Sequence, residues 1–210
     1  MPTLAFIEIE TSKSVDASII WLHGLGATGH DFEPIVPELG LTSSIGVRFI
    51  FPHAPSIPVT INQGVVMPAW YDITDMTMER EIDLGQIMKS SAWINELIKQ
   101  EIDRGIDSKR IIIAGFSQGG AVAYEVALTC PYPLGGLLAL STYLATSETI
   151  KPSEANRKLP ILVCHGTLDM MVTENLGVKA VESLKTLGYE PQYNTYPMQH
   201  AVCAEEISDI

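Results

Sequence analysis

Residues Arg110–Leu128 read RIIIAGFSQGGAVAYEVAL, and this stretch decides the fold. A tight apolar run, Ile111-Ile112-Ile113-Ala114, has the length and composition of a buried strand. Small and apolar residues then recur at helical spacing from Ala121 to Ala127. Between the two sits Gly115-Phe116-Ser117-Gln118-Gly119, a Gly-x-Ser-x-Gly pattern at a strand-to-helix corner. A serine at such a corner is held in an unfavourable backbone conformation, and its neighbours must be small for strand and helix to pass beneath it. Its hydroxyl then projects at the carboxyl edge of the sheet, where a nucleophile is useful.

Outward from this corner, strand and helix patterns alternate. Leu4–Glu10 alternates apolar and polar residues, as a strand with one open face does, and Ala17–Leu22 is more uniformly apolar. The latter runs into His23-Gly24-Leu25-Gly26-Ala27, a tight loop. Asp31–Leu39 is predicted as a short helix and Val47–Phe51 as a strand. Leu84, Ile87, Ser91, Ile94, Ile98 and Ile102 form a helical stripe that ends at Gly105. Leu134–Leu140 and Leu159–Cys164 are predicted strands, Glu174–Leu187 a helix, Tyr189–Tyr196 a strand, and Ala201–Ile210 the start of a helix. This alternation predicts an α/β fold with a mostly parallel central sheet and helices on both faces. The 210 residues suit a single domain. The stretches HGLGA, GFSQGG, HGTLD and PMQH all follow predicted strands, which is where α/β sheets place their sites.

The segment His53–Met78 lacks clear periodicity and is longer than ordinary connections, so it reads as a lid or binding loop. Its aromatic and apolar members, Val65, Val66, Met67, Trp70 and Tyr71, read alternatively as a satellite core, and the two readings are compatible. Met67 and Trp70, with Leu25, Tyr143 and Leu144, are the expected walls of a substrate pocket.

A serine hydroxyl needs a general base, and the base needs a group that fixes its tautomer. In α/β-hydrolases the chain order is serine, acid, histidine. His23, His30 and His53 precede Ser117, leaving His165 and His200. Asp169 is the one aspartate between Ser117 and His200, and His165 precedes it. The order therefore selects Ser117, Asp169 and His200, with His165 expected to fix the loop that carries Asp169. Glu125, Glu148, Glu154, Glu174, Glu182 and Glu190 compete formally for the acid, but as helical or loop residues they read as solvated surface. The oxyanion donors should be the backbone N–H groups of Gln118 and Leu25. Cys203, one helical turn from His200, reads as helix packing, since nothing in the sequence places it at a helix N-terminus that would activate it.

Composition narrows the function further. A net charge of −12 argues against a nucleic-acid partner. Three scattered cysteines form no disulfide framework, and no metal-ligand spacing is present. No apolar run reaches the ~18 residues of a membrane span, and the N-terminal residues resemble a strand rather than a signal peptide. A reducing cytoplasm fits these features.

With these residues in place, the chain resembles the phospholipase/carboxylesterase family of α/β-hydrolases. The resemblance runs from about Ile19 onward and rests on WLHGLGATGHDF, FPHAPSIPVTIN, MPAWYDI, RIIIAGFSQGGA, GGLLALSTYL, CHGTLDMMV and YPMQH. The spacing around STYL is similar to the bacterial branch. The resemblance implies the same triad and oxyanion pair, and hydrolysis of carboxylic esters, with thioesters or lysophospholipids as further substrates; short to medium acyl chains are expected because the acidic sequence shows no membrane-docking helix. The alternative it implies is an acyl-protein thioesterase acting on fatty-acylated protein cysteines. It implies no cofactor, no metal, no stable membrane insertion, and a monomer or homodimer. Two departures stand out. Gln199 precedes His200 where bacterial members have glycine, and relatives continue past the position of Ile210, so the terminal helix is expected to be cut short.

Overall fold

The computed structural model describes residues 4–41, 45–75 and 82–210. Seven strands form one sheet: β1 (Phe6–Glu10), β2 (Ala17–Leu22), β3 (Val47–Pro52), β6 (Ile111–Phe116), β7 (Gly136–Leu140), β8 (Ile161–Gly166) and β9 (Gln192–Tyr196). A hairpin, β4 (Ser56–Val59) and β5 (Val65–Pro68), stands apart from it. The order in the sheet is β1-β3-β2-β6-β7-β8-β9. All neighbours are parallel except β1 and β3, which run antiparallel with Ile9 opposite Phe49. The uniformly apolar strands β2 and β6 are central, paired Ile20 to Ile113, while the alternating β1 takes the edge.

Among the described residues five α-helices cover the sheet: α1 (Ile35–Glu38), α2 (Leu84–Asp103), α3 (Gln118–Thr129), α4 (Glu174–Thr186) and α5 (Ala204–Asp209). Successive strand residues point to opposite faces, and the core divides accordingly. Ile20, Leu22, Ile113 and Val163 pack with buried residues of α2, α3 and α4. Trp21, Phe49, Ala114 and Cys164 pack on the other face with Ile35 of α1 and Ile207 of α5. The stripe on α2 behaves as its spacing predicts: Ile87, Ile94, Leu97 and Ile98 are buried, and Asp83 caps the helix by accepting from the N–H of Gln86.

Two segments differ from their sequence reading. The expected helix at Asp31–Leu39 is a 3₁₀ turn at Gly29–Asp31 followed by one short helical turn, α1, because Pro34 and Pro37 remove donors that a longer helix needs. The segment from His53 contains the β4–β5 hairpin, in which Ile57 faces Met67. Its turn needs left-handed backbone at Gln63 and Gly64, and only the glycine advertises that. Residues 76–78 of that expected loop lie outside the described residues.

Candidate active site

Ser117 follows β6 directly and caps α3, with φ 54° and ψ −121°. This conformation is costly for a residue with a Cβ, by about 1–3 kcal/mol, and persists only where the surroundings over-determine it. Here they do. A Cβ on Gly115 would lie 2.5 Å from the carbonyl oxygen of Gly119, so β6 and α3 could not meet at this angle with larger residues. The Ser117 N–H donates to Leu140 O at 3.0 Å, and Thr142 Oγ1 donates to Ser117 O at 2.6 Å. The corner is thereby tied to β7 and the loop after it.

His200, after β9, places Nε2 2.8 Å from Ser117 Oγ and Nδ1 2.6 Å from Asp169 Oδ2. Asp169, after β8, is buried, and its Oδ1 accepts from the N–H groups of Met171 and Val172, both at 2.9 Å. Nδ1–H of His200 thus donates to a carboxylate that is itself held in place, leaving Nε2 to accept from the serine hydroxyl. The ring of His200 packs 4.7 Å from that of Phe116. The backbone N–H groups of Leu25 and Gln118 have no acceptor among the described residues. Both residues line the same cavity of about 670 Å³ as Ser117 and His200. The arrangement can deprotonate a hydroxyl, direct it at a carbonyl carbon, and offer two donors to the oxygen that becomes negative.

The remaining expected pocket residues separate. Tyr143 lines this cavity, as do Ile61, Asn62, Ile73, Met171 and Val172. Leu144 lines a neighbouring cavity, whose boundary also includes Tyr143. Met67, on β5 of the hairpin, is half-buried and does not border the cavity, and its sulfur accepts from Asn62 Nδ2 at 3.2 Å. Trp70 is 1% exposed and does not border the cavity, so it is core rather than lid. Its indole N–H donates to His23 O at 2.8 Å, and its backbone N–H donates to Gln118 Oε1 at 2.8 Å. Gln118 Nε2 completes the clamp by donating to Tyr71 O at 2.7 Å.

Two supports were not legible in the sequence. His23 is fully buried, accepts from the Ala54 N–H at Nε2 (3.0 Å), and so donates through Nδ1 to Gly24 O at 2.7 Å. It fixes the loop that carries Leu25, and Gly26 N–H to Pro68 O at 2.8 Å ties that loop to the hairpin. Glu125 is buried in α3 rather than solvated, and accepts from Thr146 Oγ1 at 2.7 Å; burial raises its pKa. The burial of α3 on all sides, from Gln118 to Leu128, explains why its glutamate differs from those on amphipathic helices. His165 has the supporting part its position suggests: its Nε2 bonds Val172 O at 2.8 Å, bracing the Asp169 loop. Cys203 stands at the N-cap of α5, contrary to its sequence reading, but it packs among apolar residues and does not border the cavity. Among the described residues there is no cluster of His, Cys, Asp or Glu able to hold a metal, and no helix long and apolar enough to cross a membrane.

A half-buried serine on a strand-to-helix corner, with histidine and aspartate delivered by later strands of a mostly parallel sheet, defines an α/β-hydrolase of the serine-hydrolase class. The sequence profile of the phospholipase/carboxylesterase family matches residues 4–210, and the chain belongs to that family. Acyl-protein thioesterase 1 of Gibberella zeae is 40% identical over 205 residues, spanning 92% of this chain and 87% of the relative. Acyl-protein thioesterase 1 of Neurospora crassa is 42% identical over 205 residues, spanning 92% and 84%. Among solved structures, SOBER1 of Arabidopsis thaliana superposes with a TM-score of 0.84 at 33% identity, covering 91% of this chain and 93% of that one. Acyl-protein thioesterase 2 of Zea mays gives 0.85 at 27%, covering 97% and 94%.

Two consequences can be measured. Trp70→Ala should cost about 3–5 kcal/mol of stability and lower kcat/KM by the same factor for every acyl length. A loss confined to long acyl chains would return Trp70 to the substrate pocket. The second concerns pH. Burial pulls the pKa values of His23 and His165 below the ordinary 6.5, so the folded chain resists protonation where the unfolded chain accepts it. Their contribution is whole above about pH 6.5 and is lost as pH falls below it. Glu206, raised to about 7 by burial, acts oppositely: its contribution is whole below 4.5 and is lost as pH rises through about 7. Glu206→Gln should therefore steepen the fall of Tm between pH 7 and pH 5. An unchanged slope would mean that water already reaches that carboxylate.

Proposed function

We propose that this chain hydrolyses carboxylic thioesters and esters through an acyl-enzyme on Ser117, and that acylated cysteines of proteins are its physiological target. The observation that carries the reading is the continuous line Ser117 Oγ, His200, Asp169, at 2.8 Å and 2.6 Å. The similarity to proteins named acyl-protein thioesterase 1 along 92% of the chain favours the protein thioester over a small ester. Three free cysteines suit a reducing compartment, and we place the enzyme in the cytoplasm as one α/β-hydrolase unit.

In the proposed cycle, His200 Nε2 takes the hydroxyl proton as Ser117 Oγ bonds to the carbonyl carbon. The oxygen that gains the electron pair is met by the N–H groups of Leu25 and Gln118. Asp169 holds His200 in the tautomer that leaves Nε2 free and steadies the imidazolium. His200 then protonates the departing sulfur or oxygen, and the acyl group remains on Ser117. Water, deprotonated by the same nitrogen, then attacks the acyl carbon; the ester bond to Ser117 Oγ breaks, Oγ takes its proton back from His200, and the carboxylic acid leaves. Metal and cofactor have no part in these steps.

Ser117→Ala should lower kcat by roughly 10⁴–10⁶, and Asp169→Asn by about 10⁴ with the fold retained, because the amide favours the wrong tautomer of His200. A folded Asp169→Asn enzyme with near-normal turnover would remove aspartate from the scheme. Parallel assays on an S-acyl-cysteine peptide and its O-acyl-serine counterpart test the target. Faster turnover of the oxygen ester would leave a general carboxylesterase as the better description.

A further inference from the structure

The cavity beside Ser117 straddles the carboxyl edge of the sheet, and its lining divides by face. Leu25, Ile61, Ile73, Tyr143 and Val172 pack with the core on the α2, α3 and α4 side. Phe32, Phe116 and Val202 pack with the core on the α1 and α5 side. Ser117 lies between them, at the end of β6. His200 belongs to the second wall: its ring contacts Phe116, whose centroid is 5.6 Å from that of Phe32. In the reaction proposed above, on which this inference rests, His200 hands its proton to the departing atom. A general acid must lie within hydrogen-bond reach of that atom. The leaving group therefore occupies the wall formed by Phe32, Phe116 and Val202, and the acyl chain occupies the other.

The two walls differ in charge. The acyl wall carries no ionisable side chain except the phenol of Tyr143. The leaving-group wall carries one carboxylate, Asp31. Its Oδ2 accepts from the Thr28 N–H at 2.7 Å and from Thr28 Oγ1 at 3.1 Å, and these bonds favour the ionised form. Among the described residues no Lys or Arg forms an ion pair with it. Of the nearby histidines, His23, whose field also favours ionised Asp31, is buried between Gly24 O and the Ala54 N–H, His30 is engaged by Glu33 at 3.0 Å, and His53 Nδ1 accepts from the Gly29 N–H at 3.1 Å. The net charge of −12 adds a field of the same sign.

We propose that the leaving-group wall selects substrates whose alcohol or thiol portion carries a positive charge, with Asp31 as the specificity-determining residue. The carbonyl C–S or C–O bond breaks, the acyl group passes to Ser117, and the cation departs with the thiol or alcohol, which takes its proton from His200. A cationic headgroup alcohol and a lysine-flanked cysteine share this chemistry.

The test compares butyrylthiocholine with its uncharged isostere, the thioester of butyric acid and 3,3-dimethylbutanethiol. At low ionic strength kcat/KM should favour the cationic thioester by about three- to tenfold, and the preference should shrink in about 0.5 M salt. Asp31→Asn, which keeps an acceptor for Thr28, should bring the ratio towards one. Should that variant not fold, the salt dependence of the wild-type ratio carries the test. S-butyryl-cysteine peptides flanked by Lys or by Gln form a second arm, and the larger ratio identifies the source of the cation. Turnover of the neutral thioester with no preference at low salt overturns this proposal and leaves the proposed function standing. No turnover of either thioester overturns both.

Discussion

The close approach of β6 and α3 is the constraint on which the rest depends. With no side chain at Gly115, the helix starts where the strand stops, and Ser117 is left at φ 54° on the corner. The same geometry sets three features at once. It places Oγ at the carboxyl edge beside His200 Nε2, it leaves the Gln118 N–H with no acceptor among the described residues, and it buries α3 on all sides. A larger residue beneath the corner would push the helix away and lose all three together. The cost of the serine's backbone is met by the packing of a whole helix, which no loop could supply.

A polar frame transmits this rigidity to the rest of the site. Gln118 grips the backbone of Trp70 and Tyr71 through both ends of its amide, Trp70 donates to His23 O, and His23 fixes Gly24. Each group is buried, so losing any one partner strands another away from water, at a cost of about 1–3 kcal/mol. The loop offering the Leu25 N–H is therefore preorganised. His165 does the same for the Asp169 loop through Val172 O. Two histidines unrelated to proton transfer thus hold the two loops on which proton transfer would rely, and their neutrality is part of that task. A charged ring at either place would need a second acceptor that burial denies it.

Because Ser117 lies at the sheet edge, its cavity draws one wall from each core. The apolar wall on the α2, α3 and α4 side suits a hydrocarbon chain, and the wall beside His200 mixes aromatic rings with one carboxylate. A reaction that splits an acyl group from a leaving group fits a site with two chemically distinct sides. Ser117 lies between them at the end of β6, and His200 stands on the second, against Phe116.

The sequence by itself determined the α/β class, the alternating strand pattern of β1, and the triad candidates, because each rests on local pattern or chain order. Buried strands advertise themselves by uninterrupted apolar runs, and Ser117 by its flanking glycines. Asp169 and His200 followed by elimination, since few residues of the right type stand between strand and helix after Ser117. Tertiary structure alone decided which apolar residues wall the cavity. Trp70 and Tyr71 look like pocket residues in a proline-rich segment, but the hairpin turns them inward to satisfy His23 O and Gln118. Glu125 looks like a surface residue, but its helix has no surface. Cys203 became a helix N-cap only where α5 begins. Burial depends on which elements meet across the sheet, and that meeting joins residues 47 positions apart, such as Trp70 and His23. No local pattern in the chain encodes such a contact.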